Sequence, residues 1–175
     1  REPGAEGLAD GVGCLEGGVS RAWVLQGLLG SAEFAQRCAT AGVEVGSLPL
    51  AEARDQSPDL TRFVNRLYTH VLDRPGEADG LNHWCAKGLE DGYSAYQLAE
   101  QFVFSQEFEG NGHSSESYVK VLYRAFMGRA AEADGLAYWV AALDSGEKDR
   151  RAVFHGFASS EEFRMISQNF GVKPL

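Results

Sequence analysis

Two spaced pairs of opposite charge, Arg74 with Asp79 and Arg129 with Asp134, are the residues most able to do chemistry. A guanidinium beside a carboxylate can hold an anionic ligand, or it can fasten two segments of chain together. Duplication favours fastening, because a catalytic site is seldom built twice along one chain. The four histidines, His70, His83, His113 and His155, share no repeat position and no metal-binding spacing. Cys14, Cys38 and Cys85 are an odd number without zinc or redox spacing, so buried free thiols are expected rather than a Cys14 to Cys38 disulfide. No phosphate-binding glycine loop, nucleophile elbow or zinc-hydrolase signature occurs. The expectation is a protein without cofactor or metal that is not an enzyme.

Aromatic rings are the other chemistry on offer. Trp84 and Trp139 fall on apolar helical stripes and are expected in the core. Trp23, Tyr93, Tyr96 and Tyr138 fall off those stripes or in turns, where a ring face could stack on a sugar or anchor a protein. These four are the candidate ligand-binding residues.

The elements that position these residues are repeated. Residues 74–84 match 129–139 at Arg, Glu, Ala, Asp, Gly, Leu and Trp, and 139 minus 84 gives a period of 55. Phe102, Ser105 and Phe108 recur at the same offset as Phe157, Ser160 and Phe163, so a whole unit is duplicated. A diverged copy opens the chain: residues 1–8 align with 129–136, and Leu28, Ser31 and Phe34 align with Phe157, Ser160 and Phe163. There Gly11 stands in place of Trp84 and Trp139. The units are 1–42, a first repeat lacking its first helix, 57–112 and 113–175, with 43–56 as a linker and the expected hinge. The chain is read as a piece of a longer protein.

Within a unit, Ser57-Pro58-Asp59 announces a helix start, and Phe63, Val64, Leu67, Tyr68 and Val71 follow at the spacing of a buried stripe. Tyr118, Val119, Leu122, Tyr123 and Phe126 repeat that stripe 55 residues later. The second helix begins near Glu77 or Glu132 and contains Gly80 or Gly135, at a cost of roughly 1 kcal/mol relative to alanine, so a close approach of the first helix is expected there. Arg74, Asp79, Gly80 and Trp84, with Arg129, Asp134, Gly135 and Trp139, form the structural motif. A third apolar helix and a Ser-x-Glu-Phe start of a fourth complete the unit. No stretch alternates with period two, and the fold expected is all-α, tandem repeats of about 55 residues with three to four helices each.

A helix ending in an aliphatic residue and Arg, an acid-and-Gly segment leading to Tyr138-Trp139, a Gly turn, an apolar helix and Ser-x-Glu-Phe together resemble the bacterial domain of unknown function 4214 family. More distantly they are similar to the phycobilisome linker domain. The resemblance implies tandem units in secreted or cell-surface bacterial proteins and implies no catalytic residues. Here Gly76-Glu77 and Ala131-Glu132 replace the family's usual Pro-Asp, and His83 replaces the Tyr of Tyr-Trp.

A net charge of −9 argues against nucleic acid and anionic membrane, since either needs a basic patch. No apolar run approaches the ~18 residues of a membrane span. The function expected is a non-catalytic binding module of a bacterial surface protein, recognising a glycan or surface protein in carbohydrate binding or adhesion. An architectural spacer or self-assembly unit is the alternative, and part of an enzyme comes third. Self-association through the truncated first repeat is expected, because its apolar residues should lack part of their cover.

Overall fold

Helix starts follow the serines. Ser20, Ser31, Ser57, Ser94, Ser105, Ser114 and Ser160 each accept, on Oγ, the backbone N–H three residues on. Each bond satisfies one donor that a helix leaves open at its N-terminus. The computed structural model describes residues 5–175, and no strand occurs among them. Arg1, the counterpart of Arg74 and Arg129, lies outside the described residues, as does the side chain of Glu6.

The first unit holds α1 (Ala5–Glu16), α2 (Arg21–Leu29) and α3 (Ala32–Ala41). A short helix, α4 (Ala53–Gln56), precedes the second unit of α5 (Pro58–Val71), α6 (Ala78–Leu89), α7 (Ala95–Val103) and α8 (Gln106–Gly110). The third unit holds α9 (Ser115–Leu122), α10 (Ala133–Asp144), α11 (Arg150–Ala158) and α12 (Glu161–Asn169). Gly42 and Gly171 end the last helices of the first and third units in the left-handed conformation, at φ of 68° and 63°. In the second unit that helix is cut to the five residues of α8.

The expected first helix of the third unit does not run as one α-helix. After α9 it widens into a π turn over Tyr123–Met127, closed by Gly128 at φ 67°. Arg66 of α5 reaches this turn and donates to the carbonyls of Arg124 (2.9 Å) and Ala125 (3.2 Å). Arg66 is therefore half-buried between units, not on the outer face that the helical pattern assigns to it.

The second and third units interlock in a single core. Phe63 of α5 lies against Phe163 of α12 and against Phe170, at 6.2 and 5.9 Å between ring centroids. Tyr96 and Phe104 meet Phe154 of α11. The C-terminal segment closes the arrangement: Ala95 N and Tyr96 N donate to the carbonyls of Lys173 (2.7 Å) and Pro174 (3.0 Å). With Ser94 accepting from Gln97 N, the open donors at the start of α7 are filled.

The connection at 43–56 makes contacts to the first unit, including at its C-terminal end. Asp55 in α4 is buried and accepts from both Ser20 N (2.8 Å) and Ser20 Oγ (2.5 Å). Leu48 N donates to Gln26 Oε1, and Asn65 Nδ2 donates to the carbonyl of Glu16 (2.8 Å), so the first unit is fastened to both the connection and α5. The cysteines are free, but only Cys85 is buried, while Cys14 and Cys38 are half-buried.

Candidate functional site

The repeated motif builds the same clasp twice. Arg74 follows α5 and donates from Nε and Nη2 to the two carboxylate oxygens of Glu107 in α8, at 2.6 and 2.8 Å. Its guanidinium also sits over the Tyr68 ring at 5.0 Å and approaches Glu77 at 3.6 Å. In the third unit Arg129 meets Glu162 at 3.2 and 3.1 Å, Glu132 at 2.9 Å and the Tyr123 ring at 5.3 Å. The acidic partner is thus the Glu of Ser-x-Glu-Phe. The expected pairing with Asp79 and Asp134 is corrected: both stand exposed in the first turn of α6 and α10, at the positive end of the helix dipole. The guanidinium is met instead by the acid three residues on, Glu77 or Glu132, and by the Glu of the fourth helix, which folding returns beside it.

Beneath each clasp the rings are ordered alike. Tyr68 meets Phe102 edge-on at 4.8 Å and Trp84 meets Phe102 at 5.3 Å; Tyr123, Phe157 and Trp139 repeat this at 5.0 and 5.3 Å. A Cβ on Gly80 or Gly135 would collide with the Tyr68 or Tyr123 hydroxyl. The close approach expected from the sequence is therefore made by a tyrosine of the first helix. Trp84 and Trp139 pack against the core but remain half-buried.

The electrostatics leave little for acid–base work. Hydrogen bonding to Arg74 holds the Glu107 carboxyl below the ordinary value, and Arg74 is raised in turn. Burial pushes the Tyr68 phenol up. A general acid or base works best poised near neutrality, and these groups are moved away from it. A cavity of about 220 Å³ beside the second clasp is lined by Arg129, Trp139, Phe157 and Glu162, whose polar groups already face one another. Ser159 and His155 bring a hydroxyl beside an imidazole at 3.3 Å, but Ser159 Oγ also donates to the His155 carbonyl at 2.7 Å. No group of three metal-ligating side chains forms among the described residues.

The four candidate aromatics are not brought together. Trp23 is half-buried in the first turn of α2. Tyr93 and Tyr96 are half-buried and pack on the core, Tyr96 wedged against Phe154 at 5.2 Å and Tyr93 under Lys87 at 5.7 Å. Their apparent place off the stripe reflects a single unit; the neighbouring unit covers Tyr96. Tyr138 alone is largely exposed, 5.1 Å from Trp139. No ring contact joins any two of the four among the described residues.

Three features escape a reading of the sequence. Glu107 and Glu162 stand at the same distance of 33 residues after their Arg in both units, a signal that offset counting could have found. Tyr68 and Tyr123 likewise precede Gly80 and Gly135 by equal intervals. The Ser20–Asp55 contact has no counterpart in the other units and left no such trace.

Helical units of one pattern, the second and third interlocked and each of these two closed by an Arg–Glu clasp over a tyrosine, define an all-helical tandem-repeat protein. The chain belongs to the family described as domain of unknown function (DUF4214), whose model matches residues 47–111 and again 99–166. The two matches overlap at 99–111, so α8 closes one unit and leads into the next, as α4 leads into α5. No match stands behind the more distant likeness to the phycobilisome linker domain. No curated protein and no solved structure matches the chain.

Proposed function

We propose that this chain is a non-catalytic, architectural module that joins protein chains by helix packing. One observation carries the reading: the second and third units close their core, while the first leaves Leu8, Val12, Leu15, Leu25, Leu28 and Phe34 exposed. Several large apolar side chains left exposed in one unit favour an interaction site there. The clasps support the same reading, because their charges are spent on one another. A place at the bacterial surface or outside the cell belongs to this proposal and follows from the family resemblance alone.

Sedimentation velocity across a concentration series tests it. The chain should associate as its concentration rises, and Leu28→Glu should weaken that association while leaving the melting of the α5–α12 core unchanged. A chain that stays monomeric at every concentration and binds a glycan on an array would overturn the proposal. The glycan reading retains one specific support, the exposed ring of Tyr138 beside Trp139. Tyr138→Ala should abolish any glycan signal if that reading is correct.

A further inference from the structure

The internal repeat shows what a covered version of the first unit looks like. Helices α1, α2 and α3 correspond to α6, α7 and α8 and to α10, α11 and α12. Leu28 is 62% exposed, whereas its counterparts Phe102 and Phe157 are each 2% exposed. Phe34 is 36% exposed, against 1% for Phe108 and 0% for Phe163. Leu8 is 55% exposed, against 1% for Leu81, while Leu136 is half-buried. In the complete units the first helix supplies the cover: Tyr68 and Tyr123 lie on Phe102 and Phe157, and Phe126 lies on Phe163 at 4.7 Å.

Gly7 gives the cover a shape. It occupies the position of Gly80 and Gly135, where a tyrosine hydroxyl stands over the missing side chain, yet a Cβ on Gly7 would meet nothing within 4 Å. A glycine inside a helix costs stability without return unless something must come close. Gly11, in the place of Trp84 and Trp139, leaves further room, since a Cβ there would meet only Val24 at 3.7 Å.

We infer that the open face of α1, α2 and α3 is the seat of an amphipathic helix of the α5 and α9 kind, which lays a tyrosine over Gly7. The inference rests on the association reading and names its partner: a first helix from another unit of this repeat type. A second copy of this chain does not fit, because the apolar faces of its own α5 and α9 are closed in the core, with Phe63, Val64, Tyr118 and Val119 each at 0% exposure. Two first units meeting face to face would bury apolar side chains but bring no first-helix tyrosine to Gly7.

Synthetic peptides of residues 57–74 and 114–129 are the probes, added to the full chain and followed by fluorescence anisotropy and hydrogen exchange. Both should bind saturably, slow exchange in α1 and α2, and dissociate any self-associated form; a peptide of residues 78–89 should not. Gly7→Ala in the chain, or replacement by Ala of Tyr68 in the first peptide or of Tyr123 in the second, should weaken binding about tenfold or more. Absence of binding by both peptides overturns the inference, whether α1–α3 exchange as folded or as unfolded helices. Binding that ignores both Gly7→Ala and the tyrosine overturns it as well. If the peptides fail but Leu28→Glu still abolishes self-association, the helix inference falls and the association reading stands; if self-association is absent too and a glycan binds, both fall.

Discussion

Arg74 and Glu107, 33 residues apart, face each other through two hydrogen bonds of 2.6 and 2.8 Å, joining the end of α5 to α8. Glu107 is held below the ordinary carboxylate value of about 4.3. A depressed carboxyl pKa means that the unfolded chain binds the proton more readily. The clasp's stabilisation is therefore complete above the unfolded value and is lost as pH falls through the folded one. Glu107→Gln should lower stability near neutrality by under about 1 kcal/mol, since the pair is half-exposed and screened. The same variant should lose less stability than the parent on acidification below about pH 4.3. Thermal melts from pH 3 to pH 6 read both effects, and parallel curves for the two proteins would remove the clasp's role.

Gly80 and Gly135 should tolerate not even a methyl group. Overpacking against the tyrosine hydroxyl costs about 1–3 kcal/mol, which outweighs the roughly 1 kcal/mol that alanine brings to a helix. Gly80→Ala and Gly135→Ala should each destabilise, whereas Gly7→Ala should stabilise the chain by up to about 1 kcal/mol. Tyr123→Phe should rescue Gly135→Ala more fully than Tyr68→Phe rescues Gly80→Ala. With the hydroxyl gone, the ring carbon Cζ would stand 3.4 Å from a Cβ at Gly135 but 3.1 Å from one at Gly80. Double-mutant cycles in denaturant give the comparison, and equal effects at all three glycines would contradict the packing account.

Asp55 accepts from the backbone and hydroxyl of Ser20 in a buried site. Asp55→Ala leaves those donors without a partner and should cost about 1–3 kcal/mol, felt by the first unit. Hydrogen exchange should quicken in α1 and α2 and stay unchanged in the α5–α12 core. Uniform exchange in parent and variant would show that the connection does not hold the first unit.

Removal of residues 172–175 should loosen α7. It withdraws the carbonyls that receive Ala95 N and Tyr96 N and uncovers the core beside Val172, which is buried. A loss of about 2–4 kcal/mol is expected from two freed donors and the deletion of the one buried apolar side chain, Val172. Urea titration of the truncated chain decides it, and an unchanged midpoint would make the C-terminal contact incidental.

Much of this molecule is written in local sequence. Serine caps, glycine stops and apolar stripes act over three or four residues, and most helices of the second and third units begin or end near those signals, the π turn after α9 apart. The period of 55 and the family follow from the same local patterns, as does the need for space at Gly80 and Gly135. What occupies that space was not legible, because Tyr68 and Tyr123 lie on a different helix and reach the glycine only when two helices cross. The acid that closes each clasp was hidden for the same reason: Asp79 is near Arg74 along the chain, but Glu107 is the residue that folding returns to it. Tyr96 appears to one unit as an outward ring and becomes an inner one only when Phe154 of the next unit is packed against it. Hydrogen bonding along a helix is decided by neighbours in sequence; partner choice between helices depends on crossing geometry, which only the assembled core determines.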